Sequence, residues 1–238
     1  MSRASRVFCA LDTTDPAQAD RWAAQLKGLV GGLKLGLEFF CANGPAGIRP
    51  VAAGGMPLFL DLKLHDIPNT VAAAMRAIVP LAPALTTIHA GGGLAMMRAA
   101  VEAAAETADK LGVPRPKVVA VTVLTSIDQS ELAGLGVADG TAAQVGRLAL
   151  LAKQAGCDGV VCSPHEVAEL RALCGPNFTL VVPGIRPAGA DIGDQKRVLT
   201  PRQAVERGAD VLVIGRPITA AADPLAAARA INAEIAGA

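Results

Sequence analysis

The stretch Leu58-Phe59-Leu60-Asp61-Leu62-Lys63-Leu64-His65-Asp66 opens as an unbroken apolar run and closes on ionisable side chains. Side chains along a strand alternate faces, so Asp61 and Lys63 share one side while Leu60, Leu62 and Leu64 share the other. Apolar throughout its first half and charged toward its carboxyl end, it reads as a parallel strand covered by helices, with functional groups at its tip.

Seven more short apolar runs flank it: Val7–Leu11, Leu33–Leu37, Leu85–His89, Val118–Leu124, Gly159–Cys162, Thr179–Val182 and Val211–Ile214. Ala-rich segments of helical period separate them. Asp15-Pro16 opens a helix reaching about Leu29, with Gln18 at capping-box spacing, and Asp223-Pro224 opens the last helix in the same way. The segment Leu94–Lys110 carries its polar residues mainly at Arg98, Glu102, Glu106 and Asp109, and Gly112 follows as a left-handed cap. No linker, low-complexity tract or charge block divides the chain.

Eight strand-then-helix units in 238 residues match one (β/α)8 TIM barrel, a single domain over residues 1–238. Alternation alone leaves an open doubly wound sheet as the competitor. No G-x-G-x-x-G follows the first strand, and Gly91-Gly92-Gly93 lacks both that spacing and a G-K-[ST] ending, so it reads as a tight turn.

Composition narrows the function classes. The chain is 52% hydrophobic and 18% charged, enough apolar side chain for a large core and too much for disorder. Aromatics are 3%, which nearly removes stacking platforms for nucleic acid, and a net charge of +1 gives no global footprint for nucleic acid or an anionic membrane. Cys9, Cys41, Cys157, Cys162 and Cys174 are scattered and form no C-x-x-C pair, so they read as reduced, mostly buried thiols rather than disulfides or zinc ligands. The basic N-terminus runs straight into a strand-like segment without a signal-peptide pattern, and no apolar stretch reaches spanning length. A soluble cytoplasmic protein is expected.

In a barrel, chemistry belongs at the carboxyl ends of the strands. Asp12 ends the first strand, Lys34 lies in the second, Asp61, Lys63 and Asp66 crowd the third, and Gly215-Arg216 follows the eighth. Asp61 with Lys63 alone fits a buried ion pair that fixes a strand end; Lys34, Asp12 and Asp66 at the same mouth favour a functional site. After the seventh strand, the stretch from Pro183 to Arg197 is too long for a routine connection and reads as a ligand lid. With Gly215-Arg216 it supplies Arg186, Gln195 and flexible amides where barrels commonly hold phosphate. Thr125 and Ser126 end the fifth strand, where a hydroxyl could meet a ligand or start a turn. His65, His89 and His165 have no metal-ligand spacing and read as core or rim residues, and Cys162 has no base nearby in sequence.

Asp61-Leu62-Lys63-Leu64-His65-Asp66-Ile67-Pro68-Asn69-Thr70 resembles the orotidine 5'-phosphate decarboxylase family in its D-x-K-x-x-D signature and the I-P-N-T that follows. The likeness runs through Ala10-Leu11-Asp12, Lys34, Leu124-Thr125-Ser126, Val161-Cys162-Ser163, Pro183-Gly184-Ile185-Arg186, Asp194-Gln195 and Ile214-Gly215-Arg216-Pro217-Ile218. It is similar to the short bacterial form.

The resemblance implies conversion of orotidine 5'-phosphate to uridine 5'-phosphate in pyrimidine synthesis, without metal or cofactor, by a homodimer whose active sites lie at the subunit interface. By the same resemblance Lys63 protonates C6 of the pyrimidine, and Lys34, Asp61 and Asp66 complete an alternating charge network. Asp66, Ile67 and Thr70 would reach the partner's site, Asp12 and Lys34 would hold ribose hydroxyls, and Thr125 the pyrimidine edge. Gln195, Gly215 and Arg216 would hold phosphate, with Pro183 and Arg186 on the closing loop. Two rivals stand beside this reading. A magnesium-dependent sugar-phosphate decarboxylase or aldolase of the same superfamily would resemble it but carry a metal-binding Glu in place of Lys34. A non-catalytic nucleotide-phosphate sensor would keep the fold and the phosphate grip, and the presence of Lys34, Asp61, Lys63 and Asp66 argues against it.

Overall fold

All eight apolar runs form strands, and a computed structural model describes them within residues 5–187 and 199–237. In chain order the elements are β1 (Val7–Ala10), α1 (Pro16–Leu26), β2 (Gly32–Gly36), α2 (Leu37–Ala53), β3 (Leu58–Leu64), α3 (Pro68–Ile78), β4 (Leu85–His89), α4 (Gly93–Leu111) and β5 (Lys117–Val121). The second half continues with α5 (Gln129–Gly134), α6 (Gly140–Gln154), β6 (Gly159–Val161), α7 (Val167–Cys174), β7 (Thr179–Val182), α8 (Pro201–Glu206), β8 (Val211–Ile214), α9 (Arg216–Thr219) and α10 (Pro224–Ala236). Each strand pairs in parallel with its sequence neighbours, and β8 closes on β1 through Val7 opposite Leu212 and Cys9 opposite Ile214. The sheet is a closed barrel, and the open doubly wound alternative is excluded.

Two apolar layers result from the alternation of side chains. Inside, Phe8, Phe59, Leu85, Val119 and Val181 form a plug, with Val161, Val211 and Val213 against it. The rings of Phe8 and Phe59 meet edge to face at 6.4 Å. Gly32, paired with Phe8, makes room for this: a Cβ there would lie 2.2 Å from the Phe8 ring. Outside, Leu60, Ile88, Val118, Ala120, Val160, Leu180 and Leu212 face the helices, whose alanines, such as Ala100, Ala103 and Ala104 of α4, allow close approach.

Local signals set most helix ends. The Asp15 carboxylate accepts the Ala17 N–H, but Gln18 does not close the expected capping box; its carbonyl accepts from Arg21 instead, and α1 stops at Leu26 rather than Leu29. Gly112 caps α4 at φ +62°, and Asp223 caps α10 by accepting the N–H groups of Leu225 and Ala226. The glycine triplet forms a short turn from Ala90 to Gly92 that feeds α4 at Gly93. Among the described residues, no helix is long and apolar enough to cross a membrane. Four cysteines are buried and Cys41 is exposed, none in a disulfide.

Candidate active site

Above the apolar plug, at the carboxyl ends of β1, β2 and β3, stands a row of charged side chains. Lys34 and Asp61 are both buried there at 9% exposure, on adjacent strands. Lys34 Nζ donates to Asp12 Oδ1 at 3.2 Å and stands 4.0 Å from Asp61 Oδ2; Lys63 Nζ donates to the same Asp61 oxygen at 2.7 Å. The groups therefore alternate in sign in the order Asp12, Lys34, Asp61, Lys63. Burial of Lys34 and Asp61 is costly singly and is offset by the pairing, while Asp12 at the end of the row is exposed. Two glycines keep space beside the row: a Cβ at Gly36 would sit 3.0 Å from Lys34 Nζ, and one at Gly215 would sit 3.3 Å from Asp12 Oδ2.

Asp61 and Lys63 do not meet by flat alternation. Lys63 has φ +50°, in the left-handed region, which costs a lysine roughly 1–2 kcal/mol. The cause lies in the ladder. Leu60 pairs with Thr86 and Leu64 with Ile88, so β3 advances four residues while β4 advances two. Asp61, Leu62 and Lys63 occupy this bulge, and bulges beside active sites re-aim side chains. Thr87, fully buried on β4 between those pairs, accepts the Lys63 backbone N–H at 2.8 Å and donates its hydroxyl to Asp61 Oδ1 at 2.8 Å.

A cavity of about 290 Å³ opens over the charged row. Asp12, Lys34, Asp61, Lys63, Thr125, Pro183, Arg186, Gly215 and Arg216 all line it. Val121, Val123, Val161 and Val213 add apolar surface to its lining, with Cys162 among them. Thr125 comes from the connection after β5, because that strand ends at Val121 rather than Leu124. Arg216 opens α9, directly after β8.

Three of the expected residues stand apart. Asp66, Ile67 and Thr70 are exposed and do not line this cavity; Ile67 is 66% exposed. The Asp66 carboxylate accepts the Ile67 N–H and forms no ion pair among the described residues. Within one chain the charge row thus extends to Asp12 rather than to Asp66. Gln195 and most of the expected lid, its residues 188–197, lie outside the described residues. The flanks of that stretch are joined by a parallel bridge between Ile185 and Leu199, with the Arg186 N–H donating to the Leu199 carbonyl at 3.0 Å.

Sequence reasoning missed Thr87, whose neighbour Thr86 is chemically identical and faces away. It also missed that His89, at the tip of β4, stacks on His65 with ring centroids 5.3 Å apart. Burial, with His65 and Lys63 beside it, holds the His89 pKa below the ordinary 6.5, Asp61 opposing in part.

A closed (β/α)8 barrel with a row of alternating lysines and carboxylates at the carboxyl mouth defines a class of enzyme that works with placed charge. Comparison with known proteins gives the family. The sequence profile of the orotidine 5'-phosphate decarboxylase / HUMPS family matches residues 5–231, and the chain belongs to this family. It is 62% identical to the orotidine 5'-phosphate decarboxylase of Paramagnetospirillum magneticum over 229 residues, covering 96% of this chain and 97% of that protein. Identity with the enzyme of Rhodospirillum rubrum is 59% over 232 residues, 97% of this chain and 94% of the other. The crystal structure of orotidine 5'-phosphate decarboxylase from Lactobacillus acidophilus superposes with a TM-score of 0.83 at 39% identity, covering 96% of this chain and 98% of that one.

Proposed function

We propose that this protein is a carboxy-lyase that converts orotidine 5'-phosphate to uridine 5'-phosphate in pyrimidine biosynthesis, in the cytoplasm, without metal or cofactor, as one catalytic domain over residues 1–238. The observation that carries this reading is the Asp12, Lys34, Asp61, Lys63 row under the cavity of a barrel from this family. A cation at Lys34, where the magnesium-dependent relatives would need a carboxylate, repels a divalent ion and favours this reading over them.

Loss of carbon dioxide from C6 breaks the C–C bond and leaves its electron pair on C6, where no neighbouring carbonyl acts as a simple sink. Stabilisation falls to fixed charge, which acts strongly beside the apolar surface of Val121, Val123, Val161 and Val213. The Lys63 ammonium attracts the developing anion and then delivers its proton to C6, becoming a neutral amine that regains a proton from solvent. Asp61 lies beside the substrate carboxylate and orients Lys63. Asp12 and Lys34 bind ribose hydroxyls, and Thr125 binds the pyrimidine edge. Gln195, Gly215 and Arg216 bind phosphate, with Pro183 and Arg186 at the closing loop. Phosphate binding far from the reacting bond helps close the site and so appears in the rate. Asp66, Ile67 and Thr70 complete the site of a second copy in a homodimer.

The test is loss of orotidine 5'-phosphate absorbance with purified protein. Wild type turns over with EDTA present, and Lys63→Ala loses at least about 10²–10⁴-fold in kcat while still binding uridine 5'-phosphate. No turnover by wild type, or dependence on added magnesium, overturns the assignment.

A further inference from the structure

We propose that Thr87 is a positioning residue that sets the Asp61–Lys63 pair in its working geometry. The inference rests on the roles proposed above for those two residues. The β3 bulge takes Lys63 out of register with β4, and the N–H of Lys63 donates to a side chain instead, the Thr87 hydroxyl oxygen at 2.8 Å. The same hydroxyl spends its only proton on Asp61 Oδ1 at 2.8 Å. One oxygen therefore ties together the left-handed backbone of Lys63 and one carboxylate oxygen of Asp61. The second carboxylate oxygen is left to Lys63 Nζ at 2.7 Å and Lys34 Nζ at 4.0 Å.

The directions are fixed by what each atom can do. An ionised carboxylate only accepts and a backbone N–H only donates, so a group between them must do both. A hydroxyl does this in the space of one methyl-sized atom, and Thr87 is fully buried, which keeps water from substituting. It does not line the cavity and touches no reacting atom. Its effect passes through the rotamer of Asp61 and the twist of Lys63.

Thr86 supplies a built-in control. It is equally buried on the opposite face of β4, and its hydroxyl has no hydrogen-bond partner among the described residues. The experiment compares Thr87→Val, Thr87→Ser and Thr86→Val with wild type in kcat, KM and uridine 5'-phosphate affinity, with Lys63→Ala alongside. Thr87→Val is expected to lower kcat by about 10- to 100-fold with KM and nucleotide affinity unchanged, since small misplacements of reacting groups cost rates of this order. Thr87→Ser restores the rate, and Thr86→Val keeps it. Wild-type kcat in Thr87→Val, no rescue by serine, or an equal loss in Thr86→Val overturns the role. If the valine variant does not fold, Thr87→Cys, with its weaker donor and acceptor, is judged by the same kcat loss and unchanged KM. Lys63→Ala separates the two levels: inactive Lys63→Ala with unimpaired Thr87→Val removes only the positioning role, whereas active Lys63→Ala removes the proposed roles of the pair and this inference with them.

Discussion

Single residues at the barrel mouth were legible in type but not in partnership. His89 reads from sequence as a core or rim histidine and stands half-buried at the tip of β4, yet its stacking on His65 depends on two strands lying side by side. The consequence concerns pH. Folding disfavours the charged form of His89, mainly through burial and then through His65 and Lys63. Below the unfolded pKa of about 6.5 the unfolded chain binds this proton and the folded chain resists it. The stability contribution is complete above that pH and is lost as pH falls through the window beneath it. The melting temperature of wild type should therefore drop between about pH 7 and pH 5.5, and that of His89→Gln should drop less steeply. Parallel curves would show that the fall comes from other groups. The thiols follow the same logic: burial pushes Cys9 and Cys157 up to about 12, so neither offers a thiolate near neutral pH.

At the level of elements, the apolar runs located every strand, and β3, β4, β7 and β8 begin and end at the expected residues. Parallel strands buried on both faces are written as continuous Val, Leu and Ile runs, which are visible without knowing their neighbours. Caps were legible for the same reason, being local chemistry. Asp223 shows it, accepting two N–H groups of the first turn of α10. Asp223→Ala should cost about 1 kcal/mol, read as a lowered midpoint in urea with unchanged slope, whereas Asp223→Ser should retain most of the stability. The failed capping box at Gln18 marks the limit, because Arg21 competes for the same side chain. The β3 bulge was not legible at all. Its four residues against two are a property of β3 and β4 together.

For the whole molecule, the proposed homodimer makes a prediction about one exposed surface. Asp66, Ile67 and Thr70 lie together at the start of α3, exposed and outside the cavity of their own chain. If they serve the partner's site, mixing Lys63→Ala with Asp66→Asn rebuilds one intact site in each mixed dimer. Random pairing of equal amounts then returns roughly a quarter of wild-type activity, and a mixture as inactive as its components would place Asp66 in its own site or in none. By itself, the sequence determined the eight strands and their order and the mostly buried thiols, and it offered the charged side chains of the mouth as candidates, because apolar period, capping and residue type act within a few neighbours. Closure of the sheet, the Asp12-to-Lys63 row and the grip of Thr87 on Asp61 and Lys63 were decided only by tertiary structure. Each depends on register between strands far apart in sequence, and a shift of one residue would turn every one of those side chains to the other face.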